Sequence, residues 1–496
     1  VSSLLFLSAE RSAGECSTVQ NSTPSFEMAL AASMNSLRRV CIVGSGPSGF
    51  YAAKYLLRVA PAAHVHMLDR LVTPFGLVRS GVAPDHPEVK AVQNDFTDVV
   101  HANRERFRFF GNVEVGKDVQ LPQLEGSYDA VICAYGAGDD ATMGIPGEQG
   151  DGVLSARAFV NWYNGHPEYS WIGDKVDQAL QRSNKAIVVG NGNVALDCAR
   201  ILCKDPSELE GSDISQHAED VLQKYQPVKD VFVLGRRGAV QAAFTIKELR
   251  ELTRLKRAAC VVDPDDVARS MTDASKEEAA ATRARKRLTQ LLEDISAGKA
   301  KDMTHPEDVE ARCHLKFLVQ PSEVLLENGV AKGLRVARTK LEGPPNAQKA
   351  VVQDGFEEIE AGLILRSIGY RSEALPELPF EHNRGIAAHE GGRCRPGLYV
   401  AGWLKRGPQG IIGTNISDAK DTVDRIMEDV ASGAIGGPAS EEPPEIPEAL
   451  NAASVVSWEA WEKVNQEEEA RGAPKGKPRE KIVDAEALLR TAEVLT

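Results

Sequence analysis

The sequence lacks several features that would place it in common functional classes. No apolar run in its 496 residues approaches the ~18–20 residues that a membrane-spanning helix needs, so we expect no transmembrane segment. Its eight cysteines form no C-x-x-C pair, so neither zinc nor an iron–sulfur cluster is indicated, and we expect no metal site. Basic residues are outnumbered by acidic ones, 58 Lys and Arg against 71 Asp and Glu. The formal net charge of −13 argues against nucleic acid as a partner.

The amino-terminal segment differs in composition from the rest of the chain. Residues 1–37 are rich in Ser and Ala and show weak periodicity. This composition fits an organelle-targeting segment or a disordered tail, and both alternatives stay open. Glu10, Glu15 and Glu27 argue against a mitochondrial presequence, because such presequences are poor in acidic residues.

One cysteine pair has a spacing that occurs in some reductase disulfides. Cys198 and Cys203 lie around a helical pattern at Val194–Leu202. Five residues apart on a helix, two side chains point about 140° away from each other. We therefore expect reduced core cysteines and not a redox pair.

Two parts of the chain repeat the order strand, glycine loop, helix. Strand patterns at Arg39–Val43 and Lys185–Val189 each end at a glycine loop, and a helical pattern follows each loop. Further strand patterns alternate with helical ones toward the C-terminus. This alternation predicts an α/β fold with parallel sheets and helices on both faces. Trp458 and Trp461 predict that the C-terminal tail docks on the body of the protein.

The first loop, Gly44-Ser45-Gly46-Pro47-Ser48-Gly49, has the G-x-G-x-x-G spacing of dinucleotide-binding folds. Gly44 permits the turn, Gly46 lets a pyrophosphate approach the backbone, and Gly49 lets the helix pack on the sheet. Asp69 closes the next strand, where an acid hydrogen-bonds a ribose hydroxyl and repels a 2′-phosphate. The first loop therefore suits FAD or NAD and not NADP.

The second loop is Gly190-Asn191-Gly192-Asn193-Val194-Ala195, and its next strand ends in Arg236-Arg237. Guanidinium groups at that position pair with a 2′-phosphate and select NADP(H), although a solvated charged turn is the alternative. One acid-terminated fold and one arginine-terminated fold in the same chain call for two dinucleotides. We expect tightly bound FAD, visiting NADPH, and hydride transfer from the nicotinamide to the flavin.

With both loops placed, the chain resembles the adrenodoxin reductase family, the mitochondrial-type ferredoxin–NADP reductases. The resemblance runs from about Arg39 into the tail. It is carried by the strings at Pro74–Pro87, Gly192–Asp197, Phe244–Arg250, Gly402–Asn415, Val455–Lys463 and Gly476–Lys481. Three positions depart from the family's usual residues: this chain has Asp69 where the family more often has Glu, Asn191 where it usually has Gln, and Ala239 where Pro is common.

The resemblance implies two Rossmann-like domains of the glutathione-reductase type, with the NADP domain inserted into the FAD domain. The expected boundaries are 38–139 and 368–496 for the FAD domain and 140–367 for the NADP domain. The residues expected at FAD, from the first loop and the resemblance, are Gly44, Gly46, Ser48, Gly49, Asp69, Leu77, Val115, Trp403, Gly410, Ile411 and Ile412. Those expected at NADP are Asn191, Gly192, Asn193, Val194, Arg236, Arg237, Glu248 and Gly410. His86, Asp197 and Glu248 are expected where flavin and nicotinamide meet.

The resemblance also implies a [2Fe–2S] ferredoxin of the adrenodoxin type as electron acceptor, a mitochondrial location and a monomer. Such ferredoxins are acidic, so an acidic reductase needs a local basic patch to attract one. Helical patterns at Phe244–Arg257 and Ser275–Ile295 carry such basic clusters. The alternative interpretation of these clusters is a solvated helix face with no partner. The predicted docking residues are Arg250, Arg254, Arg283 and Arg287.

Hydride transfer needs no protein nucleophile, so we expect the chain to act chiefly by positioning its two cofactors. Two alternatives remain. One is a reductase on the same architecture with another acceptor, such as a disulfide or a quinone. The other is a flavin-bearing subunit with a structural role, against which the intact second loop argues. Whether the ferredoxin would serve iron–sulfur assembly or a P450-type acceptor stays open.

Overall fold

The computed structural model describes residues 36–436, 447–452 and 454–495. The predicted targeting segment or tail at residues 1–37 therefore lies outside the described residues, apart from Ser36 and Leu37. Within the described ranges, no helix has both the length and the apolar character that crossing a bilayer requires.

The strands are mostly short. They are β1 Arg39–Val43, β2 His64–Leu68, β3 Phe107–Phe110, β4 Ala130–Cys133, β5 Asp139–Asp140, β6 Val153–Ser155, β7 Lys185–Val189, β8 Asp230–Leu234, β9 Ala258–Val262, β10 Ala311–Lys316, β11 Val319–Glu327, β12 Val330–Glu342, β13 Lys349–Glu360, β14 Leu363–Arg366, β15 Tyr370–Arg371, β16 Phe380–Glu381, β17 Ile386–Ala387, β18 Arg393–Arg395 and β19 Leu398–Val400.

The helices lie between these strands and in the tail. They are α1 Pro47–Val59, α2 Leu77–Ser80, α3 Pro87–Lys90, α4 Val92–Ala102, α5 Leu121–Ser127, α6 Ala156–Tyr163, α7 Ile172–Arg182, α8 Asn193–Cys203, α9 Gln216–Gln223, α10 Ile246–Thr253, α11 Pro264–Ser270, α12 Asp273–Ala281, α13 Arg283–Ser296, α14 Trp403–Arg406, α15 Thr414–Ala431, α16 Trp458–Gly472 and α17 Ala485–Thr491.

Two six-stranded sheets organise the molecule. The first has the order β18-β19-β4-β1-β2-β3 and is parallel except for β18. The second has the order β6-β14-β7-β8-β10-β9 and is parallel throughout. We call the parts of the molecule built on these sheets the first half and the second half. The first sheet takes strands from both ends of the chain, and the strands of the second come from the stretch between them.

The two faces of β7 pack against different layers. Ala186 and Val188 belong to the core that contains α8, whereas Ile187 and Val189 belong to a core lined by strands β11–β13. These three strands form a separate antiparallel sheet. The expectation of helices on both faces is therefore wrong for this sheet, because the antiparallel layer covers one face.

Two helical predictions need correction. Ser275–Ile295 is not one helix but two, α12 and α13, because Thr282 between them is extended and its hydroxyl caps the amide of Arg285. The pattern at Phe244–Arg257 yields the shorter α10, which ends at Thr253. Arg254 therefore lies just beyond the helix on which we expected it.

The C-terminal tail packs on the first half, as its tryptophans predicted. Both indoles are buried. The Trp458 ring meets those of Phe75 and Phe109 edge-on at 6.0 Å between centroids. The guanidinium of Arg79 lies 5.1 Å from the centre of the Trp461 ring. The tail is thus part of the core of the first half.

A narrow ribbon joins the two halves. The chain passes from the first sheet to the second through β5 and returns through β15, and these two strands pair antiparallel, Asp140 with Tyr370 and Asp139 with Arg371. Both crossings therefore lie side by side.

A buried histidine makes the stability of the first half depend on pH. His66 Nδ1 lies 2.8 Å from the Tyr128 hydroxyl, and burial lowers the pKa of His66 to about 4. An unfolded histidine titrates near ~6.5, so the unfolded chain takes up a proton that the folded chain refuses. This contribution to stability is present above about pH 6.5 and is lost as the pH falls toward 4. We expect a loss of about 2 kcal/mol from this site between pH 7 and pH 5.

Urea unfolding at pH 7 and pH 5 measures this effect. The double variant His66→Phe/Tyr128→Phe removes the titrating ring together with its hydroxyl partner, and it should lose less stability over this pH interval than the wild type. An equal loss in both proteins would show that His66 does not contribute.

Candidate functional site

The first glycine loop forms an open cradle at the start of α1. A side chain at Gly49 would come within 2.1 Å of the Gly44 carbonyl oxygen, so α1 can approach the loop only with glycine there. A side chain at Gly46 would meet nothing within 4 Å. Gly46 precedes α1, and no side chain caps the helix. The amides of the first turn are therefore available to an anion in this space.

Asp69 holds the first loop in place. Its Oδ2 accepts hydrogen bonds from the Ser45 amide at 2.9 Å and the Ser45 hydroxyl at 2.6 Å, and its Oδ1 accepts one from the Leu71 amide at 2.9 Å. Burial raises the pKa of Asp69, although these donors oppose the shift. Besides the ribose contact that the sequence suggested, the carboxylate therefore has a structural task. Sequence reasoning did not foresee it.

The segment after β19 returns to the first loop. A side chain at Gly402 would lie 2.0 Å from the Ser48 hydroxyl, and that hydroxyl donates to Asn415 Oδ1 at 2.9 Å. Trp403 stacks on Tyr370 with ring centroids 5.5 Å apart. Further along, Ile411 is 68% exposed although it is apolar. The structure therefore brings Gly402 and Asn415 against Ser48 of the first loop.

The remaining residues expected at FAD lie elsewhere in the same half. Leu77 is the first residue of α2, and it follows Gly76, where a side chain would lie 3.1 Å from the Gly46 Cα. Val115 packs on the core that contains Val43, the last residue of β1. Both are thus in the half of the molecule that carries the first loop.

The second glycine loop repeats the cradle in the second half. Gly190 has φ +137°, and a side chain there would lie 2.0 Å from the Ser367 carbonyl oxygen. A side chain at Gly192 would meet nothing within 4 Å, and no side chain caps α8. Asn193 Oδ1 accepts the amide of Thr245 at 2.8 Å, and the Asn191 carbonyl accepts that of Ala243 at 2.9 Å. These bonds fix the loop against the segment that leads into α10. Val194 packs against the core of this half.

Arg236 and Arg237 follow β8 with a fixed backbone and free side chains. The Arg236 carbonyl accepts the Thr339 hydroxyl at 2.7 Å, and the Arg237 carbonyl accepts the Leu318 amide at 3.2 Å. Both side chains are exposed, and neither guanidinium has an ion-pair partner among the residues that the structure describes. The pair thus presents uncompensated positive charge, as a site for a phosphate requires.

His86, Asp197 and Glu248 converge, although they come from three separate parts of the chain. One side-chain atom of each residue, a ring nitrogen of His86 or a carboxylate oxygen of the two acids, lies within 4.8 Å of those of the other two. The positive charge among them is Arg200, whose side chain is 1% exposed. Its guanidinium lies 2.8 Å from Asp197 and 3.2 Å from Glu248.

Sequence reasoning missed three members of this cluster, Asp85, Arg200 and Glu251. Asp85 accepts from Arg200 at 2.8 Å and lies 2.7 Å from Lys204. Glu251 Oε2 lies 2.6 Å from His86 Nε2. The available signal was Arg200 in the largely apolar run Ala195–Cys203, whose one other charged residue is Asp197, because a cation on a buried helical face needs acidic partners.

The carboxyl groups of the cluster differ in how readily they ionise. Burial raises the pKa of Asp197, and burial together with the charge of Asp197 raises the pKa of Glu248. Burial opposes ionisation of Asp85 as well, but Arg200 and Lys204 hold its pKa well below the ordinary range. Asp85 is therefore a permanent anion, whereas Asp197 and Glu248 hold protons more readily.

Comparison with known proteins identifies the family. Residues 38–231 match the family described as pyridine nucleotide-disulphide oxidoreductase. The mitochondrial NADPH:adrenodoxin oxidoreductase of Arabidopsis thaliana is 43% identical, covering 91% of this chain and 95% of that protein. The human protein of the same name is 44% identical, covering 91% of each chain. The chain belongs to the adrenodoxin reductase family.

A solved structure of the adrenodoxin reductase family supports the fold. Mycobacterium tuberculosis FprA in complex with NADPH superimposes with a TM-score of 0.84 at 38% identity, covering 92% of this chain and 100% of that one. FprA is named NADPH-ferredoxin reductase. The match confirms the predicted α/β fold with two Rossmann-like units.

The disulphide in the matched family's description has no counterpart in Cys198 and Cys203 here. Both are buried free thiols. Cys203 interacts with Cys313 on β10. Within this member of the adrenodoxin reductase family, these cysteines are packing residues.

The four predicted docking arginines lie on neighbouring elements. Helices α10 and α13 contact each other. Arg250, Arg283 and Arg287 are exposed, and none has an ion-pair partner in the described ranges. Arg254, just after α10, lies 3.4 Å from Asp302. Below, the name α10–α13 basic surface refers to these four arginines.

Arg200 should be essential for stability. Replacing it in Arg200→Met leaves Asp85, Asp197 and Glu248 buried without its charge, and losing one partner of a buried pair costs about 3–5 kcal/mol. Urea unfolding should show a loss of this size. The control Arg490→Met removes an exposed arginine paired with Glu486 and should cost under about 0.5 kcal/mol. Similar small losses in both variants would contradict this account.

Proposed function

We propose that this chain is an FAD-dependent NADPH:ferredoxin oxidoreductase. The observation that carries the proposal is the pair of open glycine cradles with opposite charge beside them, Asp69 at the first and free Arg236 and Arg237 at the second. An acid beside one cradle and a pair of cations beside the other suit two different dinucleotides. The names of relatives 39–44% identical over 91% of the chain, adrenodoxin oxidoreductase and ferredoxin reductase, support the same activity.

The first half fits FAD. The open space at Gly46 and the uncapped start of α1 suit its pyrophosphate, and Trp403 and the exposed Ile411 supply apolar surface for its ring system. When bound, FAD supplies a ring that accepts a hydride from NADPH and releases electrons one at a time. The other residues proposed to contact it are Gly44, Ser48, Gly49, Asp69, Leu77, Val115, Gly410 and Ile412.

The second half fits NADPH. Gly192 and the uncapped start of α8 suit the pyrophosphate, and Arg236 and Arg237 suit the 2′-phosphate. Asn191, Asn193 and Val194 line the loop between these points. Glu248 and Gly410 are proposed to reach the nicotinamide end, from the second and the first half respectively.

The cluster around Arg200 serves the place where the two cofactors would meet. Arg200 ties Asp85 of the first half to Asp197 and Glu248 of the second. His86 is seated by its contact with Glu251. These residues position the halves and hold charge and protons near the reacting rings, in keeping with a reaction that needs proximity and no nucleophile.

We infer the finer assignments from the same family. The FAD domain would comprise 38–139 and 368–496, and the NADP domain 140–367. Relatives named as mitochondrial support a mitochondrial location, and a relative from Mycobacterium tuberculosis shows that the family also serves bacteria. A monomer is the family expectation.

The α10–α13 basic surface is the proposed docking site for the [2Fe–2S] ferredoxin. The first turn of α13 carries Arg283, Arg285 and Lys286, with Arg287 next, and no acidic residue lies in that turn. Arg285 pairs with Glu278 of α12 at 3.1 Å, whereas Arg283 and Arg287 have no ion-pair partner in the described ranges. The positive end of a helix dipole disfavours cations, so the dipole does not account for this cluster. A basic cluster that the helix disfavours, on a chain of net charge −13, suits an acidic partner.

Anaerobic mixing with NADPH tests the activity. The holoenzyme should lose its flavin absorbance near ~450 nm on mixing with NADPH. NADH should bleach the flavin only at a much higher concentration than NADPH. The variant Arg236→Gln/Arg237→Gln should need at least tenfold more NADPH for half-maximal bleaching, with NADH nearly unchanged, because only NADPH carries the 2′-phosphate. Absence of bleaching by NADPH would favour a structural flavin-bearing subunit instead.

Charge reversal tests the docking surface. Arg283→Glu/Arg287→Glu should raise the KM for a [2Fe–2S] ferredoxin about tenfold or more at low salt and leave NADPH-driven reduction of ferricyanide nearly unchanged. The matched control is Arg104→Glu/Arg108→Glu, which makes the same change in net charge at two exposed arginines of the first half. Equal effects of the two double variants on the ferredoxin KM would refute docking at α10–α13.

A further inference from the structure

A second ion cluster joins the halves of the molecule, and none of its residues belongs to a glycine loop. At its centre is Asp213, in the loop before α9 of the second half. Lys90, the last residue of α3 in the first half, donates to both Asp213 oxygens at 2.5 and 2.7 Å and to Asn164 Oδ1 at 2.9 Å. Lys481 of the tail lies 2.8 Å from Asp213 Oδ2 on the other side. The Asp213 carboxylate is therefore bound by two lysines from separate parts of the chain.

All three groups are buried, and their charges depend on one another. Burial lowers the pKa of Lys481 to about 7 and also lowers the pKa of Lys90, against the attraction of Asp213. Although burial opposes it, the two ammonium groups hold the pKa of Asp213 well below its ordinary range. Because buried charges are costly unless they are closely paired, the cluster is stable only while Lys90, Asp213 and Lys481 keep these contacts.

The tail brings further contacts to both halves at this point. Lys481 Nζ also donates to the Arg79 carbonyl at 3.2 Å, and Arg79 pairs with Glu468 of α16 at 2.6 Å. On the side of the second half, Glu480 accepts the Gln216 amide at the start of α9 at 2.9 Å. The tail thus bridges the two halves beside Asp213, a residue that belongs to neither glycine loop.

The cluster anchors one end of the segment that carries His86. Asp85, just before His86, is fixed to Arg200 of the second half, and Lys90, four residues after it, is fixed to Asp213. His86 lies between these anchors and meets Glu251 across the boundary between the halves. A shift of Lys90 relative to Asp213 therefore moves the His86 segment relative to the second half.

We propose that Lys481 is a positioning residue for hydride transfer: by fixing Asp213 between itself and Lys90, it sets how the His86 segment is seated against the second half. This inference rests on the proposed function. Lys481 has no hydrogen bond or ion pair to the described residues of either glycine loop, and its link to the His86 segment runs through Asp213 and Lys90. Because transfer between two rings is sensitive to shifts on the order of 1 Å, a small change in seating is sufficient.

The variant Lys481→Met tests the proposal in the flavin-loaded enzyme. The variant keeps Lys90 and Asp213 as a buried ion pair with no net charge, so we expect it to fold. Under anaerobic conditions the limiting rate of flavin bleaching at saturating NADPH should fall roughly tenfold, with the half-saturating NADPH concentration unchanged, because the pyrophosphate and 2′-phosphate sites are intact. If Lys481→Met does not fold, Lys481→Arg carries the test, because its larger head group displaces Asp213 while keeping the charge. The same fall in limiting rate is expected.

The control separates positioning from stability alone. Arg479 is a charged residue of the same tail segment; it pairs with Asn465 at 2.7 Å and Glu468 at 3.5 Å, both within α16, and it has no hydrogen bond or ion pair to Asp213 in the described ranges. Arg479→Met removes the same charge from the tail, and it should lower the melting temperature and keep the limiting rate within twofold of wild type. The proposal is overturned if Lys481→Met bleaches at the wild-type limiting rate, or if both variants lower that rate equally. Normal bleaching of the wild type in these cases leaves the proposed function standing, whereas a wild type that NADPH does not bleach removes both.

Discussion

The Arg200 guanidinium is the constraint on which the arrangement of the site depends. It is buried in α8, directly after the second glycine loop, and it must find acidic partners because an unpaired charge is very costly in the interior. Those partners come from three places: Asp85 in the first half, Asp197 one turn earlier in α8, and Glu248 on α10. Meeting them forces the two halves and α10 together. Both nucleotide cradles therefore keep a fixed relation to His86.

Local rules of the chain predict much of the fold. β1 and β7 occupy the residues expected, since a short β-branched run closed by a glycine leaves few alternatives. The antiparallel sheet β11–β13 went unforeseen, although Asn328-Gly329, both with positive φ, is a strong hairpin signal. The break at Thr282 was missed because the residues on both sides favour helix, and only the Thr282 cap ends the run.

The site was predictable only in part, for a different reason. The glycine loops and Arg236-Arg237 act close to their own position in the chain, so sequence spacing locates them. The convergence of His86, Asp197 and Glu248 came from the family resemblance, since sequence spacing does not show that residues so far apart in the chain meet, and His86 precedes the other two by over a hundred positions. Asp85 and Arg200, separated by 115 positions, likewise depend on tertiary packing. Asp69 shows that even a correctly located residue can have a second task.

The ribbon of β5 and β15 has a consequence for how such a protein can be recombined. Because Asp140 and Tyr370 are paired neighbours, the stretch between them leaves and rejoins the first half at one point. A foreign module whose ends are equally close could replace that stretch without rebuilding the first sheet. The graft would also have to supply substitutes for Arg200 and Asp213, because these are the side chains through which the inserted part is held by Asp85, Lys90 and the tail. Modular exchange in this architecture is thus limited by two buried ion clusters and not by chain connectivity.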